Sequence, residues 1–272
     1  GGVGGAGATG GVGGAGATGG VGGAGATGGT GGTGGAAGDG GTGGGLPPDL
    51  DAIVRGPEPT SQSASANGPY KTASYTDGFK KSSAYLAATV YYPTDADAPF
   101  GMVVLCPGFT AVQSSIAEWG PFFASHGIVT MVIDTNTTGD SVLLRVDALW
   151  GALGDLRNEN TRAGSPLMGK LDVMRAGLGG WSMGGGGTWI NASKHPELRT
   201  AMSLAGHNAT AGGTGASPNI MVPTYLCAGQ TDTAILGGGM SQPVYDTIPD
   251  ATPKLLYEVS GGDHWICNTP KS

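Results

Sequence analysis

The chain has 272 residues, of which 56 are glycine, and 27 of these glycines lie in the first 45 positions. Its formal net charge is −7 and it has no run of lysine and arginine, so nucleic-acid binding is disfavoured. No stretch approaches the roughly 18 consecutive apolar residues of a membrane-spanning helix. The remaining 227 residues are enough for one domain with a sizeable core.

Residues 1–45 begin with three copies of the nine-residue unit GGVGGAGAT. The segment has one charged residue, Asp39, and no aromatic residue, so it offers no side chain large enough to form a core. We therefore predict a flexible tether over 1–45 and a folded domain over 46–272. Such a linker is typical of an exported protein, and we expect secretion or display at a cell surface, with a lipid anchor on a removed N-terminal segment as one means of attachment.

After the repeat, buried strands alternate with helices. Two strands rich in Tyr, Val and Thr are predicted at 70–76 and 84–92, and short apolar runs predict strands at 101–106, 128–133, 177–181, 200–204, 221–227 and 254–259. Helices are predicted at 114–125, 140–158 and 182–193. This alternation is typical of an α/β sandwich with a mostly parallel sheet.

The sequence GWSMG at 180–184 fits the nucleophile-elbow pattern G-x-S-x-G. A predicted strand precedes it and a predicted helix follows it, as the pattern requires. The flanking glycines permit the strained turn that lifts Ser182 above the sheet, near the positive end of the next helix. Ser182 is therefore the candidate nucleophile, and the alternative is a packing turn with an unreactive serine.

A serine nucleophile needs a histidine base, and in this type of fold the chain order is Ser, then acid, then His. The sequence has four histidines. His126 precedes the serine, His195 ends the helix that the serine begins, and His207 comes before any suitable acid loop. His264, in the loop after the last predicted strand, is left as the candidate base.

The acid must lie between the serine and the histidine, in a loop that leaves the carboxyl end of a strand. Asp232 follows the strand predicted at 221–227 and meets that requirement. Three other aspartates are placed less well, because they precede the last strand or adjoin the histidine: Asp246, Asp250 and Asp263. Asp232 is therefore the candidate that orients the imidazole.

Acyl transfer also requires an oxyanion hole made of hydrogen-bond donors. The backbone N–H of Met183, directly after the nucleophile, is the first candidate donor, and the loop after strand 101–106 supplies the second. Phe109, in the loop sequence PGFTA, is the candidate for that N–H, with its ring as a wall of the cleft. The alternative, a simple Pro-Gly turn, leaves the aromatic residue without a role.

Six segments together resemble the bacterial cutinase and poly(ethylene terephthalate) hydrolase family, which has the α/β-hydrolase fold. They span nearly all of 54–268 and are RGPEPT at 55–60, VYYPTDA at 90–96, PGFTAVQSSI at 107–116, WGPFFASHGIVTMVIDTNTT at 119–138, GWSMGGGG at 180–187 and GGDHWICN at 261–268. The resemblance implies a triad of Ser182, Asp232 and His264. It also implies oxyanion donors at Phe109 and Met183, and a cleft lined by Trp181.

Three features depart from the family pattern. His207 stands where the family usually has a tryptophan, and Trp265 follows the candidate base where relatives have a small residue or Phe. The sequence also ends eight residues after the candidate base, before the C-terminal helix that packs on the sheet in the family. The expected substrate-binding residues are Phe109, Trp181, Met183, His207 and Trp265, in a cleft narrowed by the last of these.

The resemblance also bears on the three cysteines. It implies a disulfide between Cys227 and Cys267, although each is offset from the position in relatives, so two free thiols remain the alternative. Cys106 lies in a buried strand and is interpreted as an inert core thiol. No cluster of His, Cys, Asp or Glu has metal-ligand spacing, so no metal or cofactor is indicated.

These observations predict a secreted serine hydrolase that cleaves carboxylic esters through an acyl-enzyme, acting on cutin-like or poly(ethylene terephthalate)-like polyesters. Two alternatives remain: a general short-chain carboxylesterase or lipase, and a catalytically silent surface protein without the C-terminal region. The expected partner is an ester polymer or small ester, with no nucleic acid and no membrane-spanning segment, and the protein is expected to be a monomer.

Overall fold

A single sheet of eight strands organises the computed structural model, which describes residues 60, 62, 66–207, 215–234 and 241–270. The tether predicted at 1–45 and the start of the predicted domain, 46–59, lie outside the described residues. None of the helices in this described part is long and apolar enough to cross a membrane.

The strands and helices alternate along the chain. The strands are β1 (Thr72–Tyr75), β2 (Ala87–Pro93), β3 (Phe100–Cys106), β4 (Ile128–Asp134), β5 (Leu171–Trp181), β6 (Thr200–Leu204), β7 (Thr224–Gly229) and β8 (Lys254–Val259). The helices are α1 (Trp119–Ser125), α2 (Val142–Asn158), α3 (Met183–Lys194) and α4 (Ser241–Thr247), with 3₁₀ turns at Gln113–Ser115 and Ser217–Asn219.

The spatial order of the strands is β1-β2-β4-β3-β5-β6-β7-β8. The β1–β2 and β2–β4 pairs are antiparallel, and all other pairs are parallel. This mostly parallel open sheet with flanking helices has the arrangement of the α/β-hydrolase fold, so the predicted fold class is confirmed. Because the carboxyl ends of β3 to β8 share one edge, the loops that leave these ends are brought together there.

The observed elements differ from the predicted ones mainly where proline intervenes. The helix predicted at 114–125 is divided into a 3₁₀ turn and α1, because Pro121 has no N–H and fits only the first turn of a helix. Strand β7 begins after Pro223 and extends to Gly229, whereas 221–227 was predicted, since proline cannot donate to the ladder. Strand β5 begins six residues earlier than predicted.

Apolar layers cover both faces of the sheet, because successive side chains of a strand point to opposite faces. On one face, α2, α3 and α4 pack on a cluster that includes Val104, Leu149 and Trp189. On the other face, α1 and the strand-end loops pack on a smaller cluster that includes Leu105 and Trp181. The strand-end loops are therefore supported from both sides.

A disulfide joins Cys227, in β7, to Cys267, in the loop after β8. Cys106 is a free thiol at the buried end of β3. Burial raises the pKa of the Cys106 thiol to about 12, an effect that the nearby Arg145 only partly offsets. The thiol therefore stays protonated and unreactive near neutral pH.

The turn from β5 into α3 lies against the end of β3 with no space for a side chain. A Cβ added at Gly184 would lie 2.1 Å from the Cys106 carbonyl oxygen, and one added at Gly108 would lie 2.8 Å from the Ser182 Cβ. A Cβ at Gly180 would lie 2.7 Å from the same carbonyl oxygen. Because these neighbours are backbone atoms or a Cβ, and not flexible side-chain ends, glycine is required for the close approach.

We expect Gly184→Ala to lower the free energy of unfolding by about 1–3 kcal/mol, because the new methyl group must displace the end of β3. The matched control is Gly154→Ala in α2, where an added Cβ meets nothing within 4 Å. That change should raise stability by about 0.5–1 kcal/mol through helix propensity. Urea unfolding followed by circular dichroism measures both, and equal effects of the two variants would contradict the packing argument.

Removal of the disulfide should also lower stability. Its two cysteines are 40 positions apart, and cross-linking a loop of that length restricts the unfolded chain by about 2–4 kcal/mol. The double variant Cys227→Ala, Cys267→Ala should therefore unfold at a lower urea concentration than the parent. The parent should become less stable in dithiothreitol, whereas the double variant should not respond to it. If the urea midpoint of the parent does not change in dithiothreitol, this expectation is contradicted.

Candidate active site

Ser182 occupies a strained position between β5 and α3. Its backbone has φ 54° and ψ −119°, a conformation that costs a non-glycine residue about 1–3 kcal/mol. The Ser182 N–H donates to the Leu204 carbonyl at 2.9 Å. Its carbonyl accepts from the N–H of Gly186 at 3.0 Å and from that of His207 at 2.8 Å. These bonds hold the serine at the carboxyl edge of the sheet, at the first turn of α3.

Asp232 and His264 form a buried pair at the same edge. The imidazole Nδ1 and the carboxylate Oδ2 are 2.7 Å apart, and both residues are 7% exposed. The other carboxylate oxygen accepts from the Ala234 N–H at 3.1 Å. Because Nδ1 donates to the carboxylate, the neutral ring presents Nε2 as its proton acceptor.

The loops that carry this pair are joined by backbone contacts. A Cβ added at Gly229 would lie 2.2 Å from the Asp263 carbonyl oxygen, and the Thr231 N–H donates to the Gly262 carbonyl at 2.8 Å. The Trp119 indole N–H donates to the Cys267 carbonyl at 3.1 Å, a contact that the sequence did not reveal. Together with the disulfide, these contacts fix the position of the imidazole relative to its carboxylate.

The aspartates rejected on sequence grounds bond elsewhere. The Asp263 carboxylate accepts from the Trp265 N–H at 2.9 Å, two residues along the chain. Asp246 accepts from Gln242, and Asp250 from Lys254. Of the described residues, Asp232 is the acid that bonds the His264 imidazole.

Two of the other histidines lie at helix ends, and for His195 this was predicted. His195 follows the last residue of α3, stacks on Trp150 with ring centroids 3.4 Å apart and contacts Glu197 through Nδ1. His126 follows α1, and its Nε2 contacts the Ala66 carbonyl at 3.3 Å. Neither bonds to Ser182 or Asp232.

Trp181, which was expected to line the cleft, lies beneath the surface. The side chain is 2% exposed and so offers almost no surface to a substrate. Its indole N–H donates to the His264 carbonyl at 2.9 Å, and its ring lies 5.0 Å from the His264 ring and 4.5 Å from the Trp265 ring. Trp181 therefore connects the serine turn to the histidine loop.

The exposed apolar surface beside the site comes from two aromatic residues. Phe109 is 54% exposed and Trp265 is 58% exposed. Met183, expected as a third wall, is only partly exposed and packs against Val142, Val146 and Ile190. Of these three described residues, Phe109 and Trp265 therefore offer the larger exposed surface, and Met183 offers less.

Two backbone N–H groups are available beside Ser182. The N–H of Met183 is the first of α3 and has no acceptor within the helix. Within the described chain, no acceptor bonds the Phe109 N–H. The peptide that carries the Phe109 N–H is held by the Ala111 N–H, which donates to the Gly108 carbonyl at 3.3 Å. The next residue, Thr110, has φ 59°, and its N–H donates to the Thr138 carbonyl at 2.8 Å, which fixes the Phe109–Thr110 peptide.

His207 lies directly beside the serine turn through its bond to the Ser182 carbonyl. A Cβ added at the preceding residue, Gly206, would lie 2.1 Å from Ser203 Oγ and 2.4 Å from the Trp189 ring, so this loop is tightly packed. Burial, with His264 nearby, lowers the pKa of His207, and Asp232 acts in the opposite direction. His207 is therefore neutral at neutral pH.

Among the described residues, no cluster of three or more His, Cys, Asp or Glu side chains could hold a metal ion. What the arrangement provides is a serine hydroxyl, an imidazole oriented by a carboxylate, and two N–H donors at one edge of a sheet. These are the parts needed for acyl transfer.

Comparisons with known proteins agree with this chemistry. A family model described as PET hydrolase-like matches residues 49–272. A bis(hydroxyethyl) terephthalate hydrolase of Streptomyces coelicolor is 37% identical over 217 residues, which cover 79% of this chain and 67% of that protein. Cutinase 1 of Thermobifida cellulosilytica is 33% identical over 79% of this chain and 80% of its own, and a cutinase of Thermobifida fusca is 33% identical over 79% and 69%. The chain therefore belongs to the PET hydrolase-like family of carboxylic ester hydrolases.

Proposed function

We propose that this protein is a serine hydrolase that cleaves polyesters through an acyl-enzyme. Ser182 is the nucleophile, His264 the general base and Asp232 the residue that orients the imidazole. The observation that carries the proposal is the buried 2.7 Å contact between His264 and Asp232, held against the strained turn of Ser182 by the Trp181 indole.

The reaction follows from the roles of these groups. Ser182 Oγ attacks the ester carbonyl carbon while His264 Nε2 accepts its proton, which requires the neutral imidazole. The negative oxygen of the tetrahedral intermediate accepts hydrogen bonds from the N–H groups of Phe109 and Met183. The carbon–oxygen bond then breaks, and Nε2 returns the proton to the leaving alcohol. A water molecule, deprotonated by the same nitrogen, then attacks the acyl carbon. The bond from that carbon to Ser182 Oγ breaks, Nε2 returns the proton to Oγ, and the acid leaves.

The preference for polyesters rests on the openness of the aromatic surface. More than half of the Phe109 and Trp265 side chains is exposed, so a long chain can lie across them beside the serine. Offset stacking contributes about 0.5–1.5 kcal/mol per aromatic pair beyond the burial of apolar area. The second candidate substrate is a small soluble diester, which is favoured by the 37% identity to a bis(hydroxyethyl) terephthalate hydrolase.

The proposal includes an extracellular location and a monomeric catalytic domain behind a tether over 1–45. The disulfide between Cys227 and Cys267 supports export, because such bonds persist mainly in oxidising compartments. The tether is inferred from its composition: apart from three valines it is Gly, Ala, Thr and a single Asp.

We expect Ser182→Ala to lower kcat for p-nitrophenyl butyrate about 10⁴-fold or more, because removal of the nucleophile disables the whole triad. A fluorophosphonate probe should label the parent and fail to label this variant. The matched control is Ser260→Ala, in the exposed loop after β8, which should retain full activity and labelling. A folded Ser182→Ala protein with more than a few per cent of the parent activity would refute the assignment.

His207→Trp tests the substrate preference. His207 is small beside the tryptophan that relatives carry, so we expect the variant to increase release from an aromatic polyester film relative to p-nitrophenyl butyrate turnover. The readout is the ratio of the two rates, measured on parent and variant under the same conditions. If both rates fall by the same factor, position 207 does not contact the acyl group.

A further inference from the structure

Arg145, in α2, is an arginine whose charge lies wholly inside the protein. The residue is 0% exposed, and among the described residues no carboxylate lies within ion-pair distance of it. The nearby carboxylates bond elsewhere: Asp134 accepts from Gln113, and Asp140 from the Thr137 hydroxyl. A buried cation without an acidic partner is costly, so its retention requires a specific reason.

The guanidinium bonds the loop after β4. Nη1 donates to the Thr135 hydroxyl at 3.0 Å, and Nη2 donates to the Thr138 carbonyl at 3.1 Å. The Thr138 carbonyl also accepts from the Thr110 N–H at 2.8 Å. One carbonyl oxygen therefore joins the buried cation to the residue that follows Phe109.

The bond to the Thr138 carbonyl restrains Thr110 in an unfavourable backbone conformation. Thr110 is β-branched and has φ 59°, a region that such residues rarely adopt, so contacts must hold it there. Its hydroxyl donates to the Phe109 carbonyl at 2.7 Å. These two bonds fix the Phe109–Thr110 peptide. The adjoining Gly108–Phe109 peptide, which carries the Phe109 N–H, is held by the Ala111 N–H, which donates to the Gly108 carbonyl at 3.3 Å. Arg145 acts on this turn through the Thr138 carbonyl.

The same helix also contacts the other half of the proposed oxyanion hole. A Cβ added at Gly187, in α3, would lie 3.3 Å from the Arg145 backbone, and Asn191 of α3 donates to the Val146 carbonyl at 3.1 Å. Helix α3 begins at Met183, the second proposed donor. Arg145 therefore contacts both helix α3, which begins at Met183, and the loop that bonds the residue after Phe109.

We propose that Arg145 is a positioning residue for the oxyanion hole, which holds the Phe109 N–H in place through the shared Thr138 carbonyl. This inference rests on the proposed function. It assigns to Arg145 an effect on the tetrahedral intermediate and not on the binding of the ground-state ester, since the Phe109 N–H acts where the negative oxygen develops.

The test is Arg145→Met, compared with Arg157→Met as the matched control. Arg157 lies in the same helix and stacks over Trp150, away from the Phe109 loop. We expect Arg145→Met to lower kcat for p-nitrophenyl butyrate about 10–100-fold with KM within twofold, because loss of a whole oxyanion donor costs about 10²–10³-fold. Inhibition by phenylboronic acid, which forms a tetrahedral adduct with an active serine, should weaken in parallel. Arg157→Met should change none of these values.

A folded Arg145→Met protein with kcat within twofold of the parent, or with a changed KM alone, would overturn the inference. If this variant does not fold, Arg145→Lys tests the inference instead. Its single ammonium group keeps the charge but cannot span Thr135 and Thr138. We then expect a kcat at least threefold below the parent, and an unchanged kcat overturns the inference. Failure of the proposed function is distinguishable, since the parent itself would then show no esterase activity and no fluorophosphonate labelling.

Discussion

The strained turn at Ser182 is the constraint on which the remainder of the site depends. A serine with φ 54° and ψ −119° persists only where its surroundings leave no alternative, and here the chain ends of β3 and β6 both meet it. The end of β3 approaches so closely that Gly108 and Gly184 cannot carry a Cβ. The Leu204 carbonyl at the end of β6 accepts the serine N–H. The sheet and its glycines therefore set the height and direction of the Ser182 side chain before any substrate binds.

The proposed acid and base are held by a second set of contacts, which are covalent and aromatic. Asp232 and His264 come from loops after neighbouring parallel strands, so their separation is limited by the spacing of β7 and β8. The disulfide joins β7 to the histidine loop, and the Trp181 indole joins that loop to the serine turn. Each member of the candidate triad is thus attached to the next by a contact that does not involve its reactive atoms.

The sequence predicted the parts of the site that depend on chain order and strand ends. Ser182, Asp232 and His264 follow from rules about where loops leave a parallel sheet, and the structure has the Asp232–His264 hydrogen bond. The sequence alone did not predict that Trp181 is buried or where Arg145 lies. Neither has a local signal: a tryptophan beside an elbow serine is exposed or buried according to whether a distant residue, here Trp265, covers it. Arg145 on a helix resembles any solvent-facing arginine until α3 and the loop after β4 are packed around it.

The division between a buried framework and two exposed rings has an evolutionary consequence. Phe109 and Trp265 present more than half of their side chains to solvent, while the residues that orient the reactive groups are enclosed. Exposed side chains contribute little to folding, so substitutions at Phe109 should cost little stability. Substitutions at Trp265 should cost more, because its ring lies 4.5 Å from the buried Trp181 ring. The exposed surface beside Ser182 can therefore change at Phe109, by natural drift or in the laboratory, while the enclosed residues beneath it stay the same.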